Sequence, residues 1–505
     1  MLAAVASATL LGARGRPVVV EVHVGQGLPA FNVVGLPDEV CREARDRVRA
    51  ALVSSGISWP NKRLTVNLAP SGVRKGGAGL DLPIAVGLLV ATDVVPATAV
   101  DDVAFMGELG LDGSIRRVTG MVPLGAALGK SVSVVPADCV HEVELVATGT
   151  VHGVSTLPEL VCVLRGERPW PDGPPAPPEP PPTASPDLAD VRGQELARRA
   201  LAVSAAGGHH LLLIGPPGSG KTMLAQRLPG LLPRLDPDVA LEATMVHSAA
   251  GLALPPEGLV TLPPLRAPHH TASTVAMVGG GTAAMRPGEV SCAHGGVLFL
   301  DELAEFGSAV LDGLREPLEE GVVRVTRARA TVDYPARFLL VAAMNPCPCG
   351  ASGAPGACRC EKNGRLRYFR RVSGPLLDRF DLRLEVDRPA VDELLDNGPG
   401  ESSAAVRARV GRARERAATR GVDVNARLAA HQLDELAPLA PGARAILRRE
   451  LEAGRLTGRG LHRVRRVART IADLDEKDEL VDEASVVMAL SLRIDPTERA
   501  REDVA

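Results

Sequence analysis

Apolar and polar positions follow three different rhythms along this chain. In the first stretch, PVVVEVHVG at 17–25 and RLTVNLAP at 63–70 alternate residue by residue, the pattern of strands with one buried face. Between them, DEVCREARDRVRAALVSSG at 38–56 repeats its apolar positions at helical spacing and stops at Gly56. LDLPIAVGLLVATDVV at 80–95 predicts a more buried helix, and SVSVVPAD at 131–138 a buried strand. Together these predict an α+β unit. The opening MLAAVASATLLGARGRP is apolar, but its first basic residue is Arg14, so it lacks the charged start of a secretory signal and is expected to fold with the rest.

In the second stretch the alternation disappears. LLLI at 211–214, VLFL at 297–300 and RFLLVAAMNP at 337–346 contain unbroken apolar runs. Such runs suit parallel strands covered on both faces, and so an α/β sheet. From about residue 403 the chain turns helical and arginine-rich, with GARAILRRELEAGRL at 442–456 and LHRVRRVARTIADL at 461–474. Between the first two regimes lies PWPDGPPAPPEPPPTASP, which cannot sustain helix or sheet ladders and reads as a spacer. The predicted organisation is an N-terminal α+β domain at 1–168, a linker at 169–186, an α/β core at 187–395 and an all-α domain at 396–505.

Composition narrows the picture. The 505 residues exceed one ordinary core, which agrees with several domains. Aromatics make up only 2%, so the cores are aliphatic and a surface of stacking platforms for single strands is not expected. The net charge of -3 supplies no global field for nucleic acid; any such contact rests on local patches such as RARVGRARERAATR at 407–420 and RVRRVAR at 463–469, the second of which has a helical apolar stripe that fits many of its arginines to a solvated face. No apolar run reaches the ~18 residues of a membrane span, and a cytoplasmic protein is expected.

The most specific chemistry is GPPGSGKT, which matches G-x-x-x-x-G-K-[ST] between a strand and a helix. Gly215, Pro216, Pro217, Gly218, Ser219 and Gly220 would turn backbone N–H groups toward the phosphates of ATP. Lys221 would reach the β- and γ-phosphates, and Thr222 would ligate Mg²⁺. VLFLDE delivers Asp301 and Glu302 to the carboxyl end of a buried strand, where open α/β sheets bind ligands. Asp301 is expected in the Mg²⁺ shell and Glu302 as the base that polarises the attacking water. Asn345 ends the next strand, where an amide can orient that water; a plain turn residue before Pro346 is the competing reading.

Cys347, Cys349, Cys358 and Cys360 form C-x-C-x8-C-x-C, with glycines at 350, 353 and 356 to fold the loop back. Four thiolates this close in sequence can surround Zn²⁺; four reduced thiols are the alternative. Cys41, Cys139, Cys162 and Cys292 are scattered and read as structural. His269 and His270 have no carboxylate or cysteine at ligand spacing, which leaves packing or a loop role.

These residues resemble the AAA+ superfamily and, more narrowly, the magnesium-chelatase-like family called YifB or ComM. The resemblance rests on RAPHHTASTVAMVGGG at 266–281, RPGEVSCAHGGVLFLDELAEF at 286–306 and SGPLLDRFDL at 373–382, with VGLPDEVCREARDRVRAAL at 34–52 and LHRVRRVARTIADL in support. It implies an N-terminal domain like that of the Lon protease, an AAA+ core and a helical lid. It also implies a ring, a hexamer, with ATP between subunits and DNA as partner in branch migration. Arg379 then resembles the arginine finger and Arg459, with Arg463 as rival, the sensor arginine of the lid. A Lon-type peptidase would need a serine near KGGAGLD at 75–81, and none is there. A porphyrin-metallating motor and an ATP-switched protein-binding module are the other functions considered.

Overall fold

A computed structural model of the chain describes residues 1–72, 74–173, 186–281, 285–327, 330–350, 358, 360–395, 400–477 and 479–494. Most of the proline-rich stretch, together with Gly353 and Gly356, lies outside the described residues.

The N-terminal unit is a mixed seven-stranded sheet with helices packed on it. Its strands are β1 (Leu2–Leu11), β2 (Arg14–Gly25), β3 (Ala30–Val34), β4 (Arg63–Ala69), β5 (Val103–Phe105), β6 (Val132–Pro136) and β7 (Thr150–Val154), in the order β3-β4-β2-β1-β5-β6-β7. The apolar opening is therefore strand β1, paired antiparallel with β2. Helix α1 (Glu39–Ser54) begins at Asp38, whose side chain accepts from the N–H of Cys41, and the chain leaves it through Gly56 at φ 74°. Helix α2 (Asp81–Ala91) has no exposed face: all of its residues are buried.

The second unit is built on five parallel strands. Helix α3 (Glu195–Gly207) precedes β8 (Leu211–Ile214), which is followed by α4 (Lys221–Arg227) and α5 (Pro237–Ala250). Strands β9 (Leu265–Arg266) and β10 (Val297–Leu300) come next, then the hairpin β11 (Val322–Arg327) and β12 (Ala330–Pro335), then β13 (Leu339–Met344), helix α6 (Lys362–Arg370) and β14 (Leu382–Glu385). The sheet order is β9-β10-β13-β8-β14. Every residue of β8, β10 and β13 is buried, as their unbroken apolar sequences require.

The last part is helical: α7 (Ser403–Thr419), α8 (Pro441–Glu452), α9 (Gly458–Leu474) and α10 (Glu483–Ser491). It is not a detached lid. Val406 and Val410 of α7 and Val464 and Val467 of α9 share one apolar cluster with α3 and β8. The arginines of RVRRVAR are mostly engaged inside the fold. Arg469 is 1% exposed and pairs with the equally buried Asp473, Arg466 donates to Leu428 O, and Arg465 pairs with Asp434.

The N-terminal unit packs on the core through the β1–β2 turn. Gly12 lies so close to Val332 of the hairpin that a Cβ there would meet it at 2.1 Å, and Ala13 is buried in the core cluster that includes Tyr334. Ser248 of α5 accepts from the N–H of Val122 at 3.2 Å. The hairpin that receives this turn had no strong signal in the sequence.

Candidate nucleotide site

Strand β8 ends at Ile214, and the Gly215 N–H donates to Met344 O of the neighbouring β13 at 3.2 Å. That bond fixes the mouth of the phosphate loop. Gly218 and Gly220 adopt φ of 77° and 88°, left-handed conformations that favour glycine. Lys221, only 8% exposed, donates from Nζ to Gly215 O at 2.8 Å and Pro216 O at 2.9 Å, so its ammonium is held over the loop. Burial lowers its pKa from the ordinary lysine value, and the nearby Asp301 carboxylate partly offsets this. The loop is also gripped from outside. Gln194 Nε2 donates to Ser219 O at 2.6 Å, and Arg388 Nη2 to Pro217 O at 3.2 Å.

The acids arrive from β10. Asp301 Oδ2 accepts from Thr222 Oγ1 at 2.8 Å, which brings the two expected Mg²⁺ ligands together. Asp301 Oδ1 accepts from the N–H of Glu302 at 2.9 Å. Glu302 sits at φ 52°, a left-handed conformation that costs a non-glycine residue on the order of 1 kcal/mol. Its carboxylate lies 3.0 Å from Nδ1 of His270. The His270 ring stands edge-on to Phe306, with centroids 6.4 Å apart. Asn345 follows β13 directly, beside the phosphate loop, since Gly350 five residues on packs against Pro217. Burial pushes the phenol of Tyr368 on α6 up to about 12, with a hydrogen bond to the Asn345 backbone opposing it.

The structure thus brings together the loop 215–222, Asp301, Glu302 and Asn345. His270, Gln194, Arg388 and Tyr368 were not anticipated as neighbours of the site. No spacing rule links position 270 to 302 or 194 to 219; only the folded sheet does.

Arg379 and Arg459 lie elsewhere. Arg379 contacts Glu319, and its guanidinium pKa is lowered by burial and by the like charges of Arg463, Arg459 and Arg315. Arg463 pairs with Asp381 at 3.3 Å. Asp381 also accepts from Nδ1 of His209 at 3.1 Å. Burial alone would raise the Asp381 carboxyl, but His209, Arg463 and His210 outweigh it and hold it at about 2. This cluster marks the amino ends of the strands, where the N–H of Leu382, the first residue of β14, donates to His210 O just before β8 begins. It borders a cleft of about 990 Å³ lined by Arg379, Asp381, Arg463, Arg466 and Glu319 among others. The phosphate loop leaves the opposite end of β8, and four residues of strand at ~3.3 Å each separate the two ends by about 13 Å before any loop is added. One chain's arginine cluster and its own phosphate loop therefore face different sides.

The family description "Magnesium chelatase, subunit ChlI" matches residues 187–394, "Subunit ChlI of Mg-chelatase" matches 20–138, and the corresponding C-terminal description matches 400–493. Over 475 residues the chain is 44% identical to the protein YifB of Escherichia coli K12, covering 93% of this chain and 92% of that protein. Over 487 residues it is 42% identical to the competence protein ComM of Haemophilus influenzae, covering 95% of each. It belongs to the YifB/ComM family of magnesium-chelatase-like proteins. An uncharacterised Mycobacterium tuberculosis member is 45% identical over 495 residues, covering 96% of this chain and 97% of its own. The multidomain α/β architecture, with its central parallel sheet and C-terminal helices, is that of a magnesium-chelatase-like AAA+ protein, and an ATPase of the AAA+ type that uses ATP and Mg²⁺ is the activity this family carries. Among the described residues, no helix is long and apolar enough to cross a membrane.

Proposed function

We propose that this YifB/ComM-family chain is a ring-forming motor that hydrolyses ATP between subunits and spends the cycle on remodelling branched DNA. The observation that carries the ring is the separation of charge across the central sheet. The phosphate loop and acids occupy the carboxyl ends of the strands, while Arg379, Arg459 and Arg463 gather at the amino ends. Arg379 contacts Glu319 and Arg463 pairs with Asp381, but the three guanidinium groups still lie near one another, an arrangement suited to a further anion such as a triphosphate on a neighbouring subunit. A closed ring, taken as a hexamer, repeats that contact at every boundary.

Within this reading the residues divide the chemistry. Backbone N–H groups of the loop and Lys221 hold the phosphates in place. Thr222 and Asp301, whose oxygens already converge, would hold Mg²⁺, which neutralises phosphate charge when bound. Glu302 accepts the proton of the attacking water, Asn345 orients that water, and His270 sets the direction of the Glu302 carboxylate. Arg379, with Arg459 or Arg463, stabilises charge on the phosphoryl group in transfer. The N-terminal domain serves as a binding module, in keeping with a Lon-type fold without a serine at 75–81.

The DNA assignment is supported by the name "competence protein" of the Haemophilus influenzae relative, which covers nearly the whole chain. The magnesium-chelatase subunit of Nostoc, by contrast, matches over 39% of it. ATP-dependent conversion of a four-way junction by the purified chain, abolished in Lys221→Ala, is the expected result. ATPase activity that responds to a protein or a porphyrin and to no form of DNA would overturn the DNA assignment.

A further inference from the structure

The strand that ends at Asn345 runs directly into a group of four cysteines. Cys347 and Cys349 leave β13, and Cys358 and Cys360 stand just before α6. Their sulfur atoms all lie within 4.8 Å of one another. Three separations are finer than that: 3.4 Å between Cys347 and Cys349, 3.7 Å between Cys347 and Cys358, and 3.6 Å between Cys349 and Cys358.

These distances discriminate among the things four cysteines can do. A disulfide needs sulfurs about 2.0 Å apart, and none of the three pairs is close to that. Four thiolates at about 2.3 Å from a single tetrahedral ion lie about 3.8 Å from each other, which is near the observed spacing. An iron–sulfur cluster distributes its cysteines over separate irons and holds them further apart. Four sulfurs converging on one point therefore fit one ion with a preference for thiolate.

Charge supports the same reading. Four thiolates around a divalent ion carry a net charge of about -2. Arg365 of α6 donates from Nη2 to the sulfur of Cys358 at 3.0 Å, which supplies a compensating guanidinium at the ligand itself. Cys347 is buried and only Cys349 is exposed, so the group is largely closed to water, as structural sites are.

We propose that Cys347, Cys349, Cys358 and Cys360 bind one structural zinc ion that staples the exit of β13 to the start of α6. The staple stands next to the phosphate loop. Gly350, between the two cysteine pairs, is at φ 73° and packs so closely on Pro217 that a Cβ would meet its ring at 2.8 Å. The metal thereby fixes the backbone that follows Asn345 and supports one wall of the loop. Zinc loading itself requires no nucleotide, so the proposal stands or falls independently of the motor reading.

Elemental analysis of the purified full-length chain tests it. About one zinc per chain is expected, released by a mercurial reagent and measured with a chromogenic chelator. Cobalt in place of zinc is expected to give thiolate-to-metal charge transfer in the near ultraviolet and the visible bands of a tetrahedral ion. Cys358→Ser is expected to cut the zinc content at least about fivefold. Since that variant can also fail to fold, Cys292→Ser, a buried cysteine remote in sequence, serves as the matched control and keeps its zinc. Zinc-free protein with four readily titrated thiols, a disulfide detected by mass, or iron or copper in place of zinc would overturn the proposal.

Discussion

The two ends of the central sheet use different physics for neighbouring parts of one task. At the carboxyl ends the work is done by backbone and short side chains. Glycines at left-handed φ expose N–H groups, Lys221 is held by loop carbonyls, and Thr222 and Asp301 meet across 2.8 Å. At the amino ends it is done by long side chains from remote segments: Glu319, Arg379, Asp381 and Arg463, around His209. The first end owes its shape to the glycine loop itself, with remote segments adding Asp301, Gln194 and Arg388 around it. The second is a charge cluster in which Arg379, in contact with Glu319, also lies near the like charges of Arg463, Arg459 and Arg315, and Arg463 pairs with Asp381. On the proposed ring reading, the carboxyl-end half receives the ligand and the arginine-rich half is presented to the next subunit.

The largest effect expected lies at the rigid end. Glu302→Gln keeps the shape of the site but removes its base, so nucleotide binding persists while kcat falls by about 10²–10⁴-fold, measured by steady-state ATPase and by binding of a fluorescent nucleotide. Normal turnover would remove Glu302 from the mechanism. At the other end, if the proposed ring forms, Arg379→Ala is expected to lower kcat by about 10³-fold, with nucleotide affinity of the dispersed chain unchanged, since on that reading the guanidinium acts across a boundary. Equal loss of affinity in dispersed chains would mean that Arg379 serves its own loop.

How much of this was legible in the sequence follows the same division. GPPGSGKT and VLFLDE are contiguous strings, so spacing alone exposed the rigid end. The arginine cluster draws on positions 319, 379, 381 and 463, which no periodicity connects; Arg379 and Arg459 were reached only through resemblance, and Asp381, which pairs with His209 and Arg463, not at all. The basic stripe at 463–469 was readable as charge but not as burial, since the partners of Arg465 and Arg469 are brought in by the fold. The hairpin at 322–335 gave no clear signal because its strands are partly polar, with Arg324, Thr326 and Arg327 exposed in the first, and Val332 and Tyr334 pack close to the remote turn at Gly12. The cysteine cluster was visible as spacing, while the convergence of its sulfurs was not.

Asp381 gives a test of the amino end that is independent of nucleotide. Its pKa is depressed in the folded state, so its contribution is present above the unfolded value near 4 and is lost as pH falls toward about 2. Asp381→Asn is therefore expected to cost on the order of 2 kcal/mol in urea unfolding near neutral pH, a difference that shrinks below about pH 4. A constant difference across that window would dissociate Asp381 from the charge cluster.

A smaller effect is expected from His270, whose Nδ1 lies 3.0 Å from the Glu302 carboxylate. His270→Ala is expected to lower kcat by about 10-fold, with the nucleotide KM within twofold, and His270→Asn to recover part of the loss. A change confined to KM would give His270 a binding role instead.

The direct measurement of a shared site is a mixing experiment. Lys221→Ala disables the carboxyl end and leaves the arginines intact, while Arg379→Ala does the reverse. Each variant alone is expected to be nearly inactive, and assembled together they are expected to regain ATPase activity, because some boundaries then pair an intact loop with an intact arginine cluster. A mixture that stays as inactive as its parts, although the subunits demonstrably co-assemble, would contradict the account.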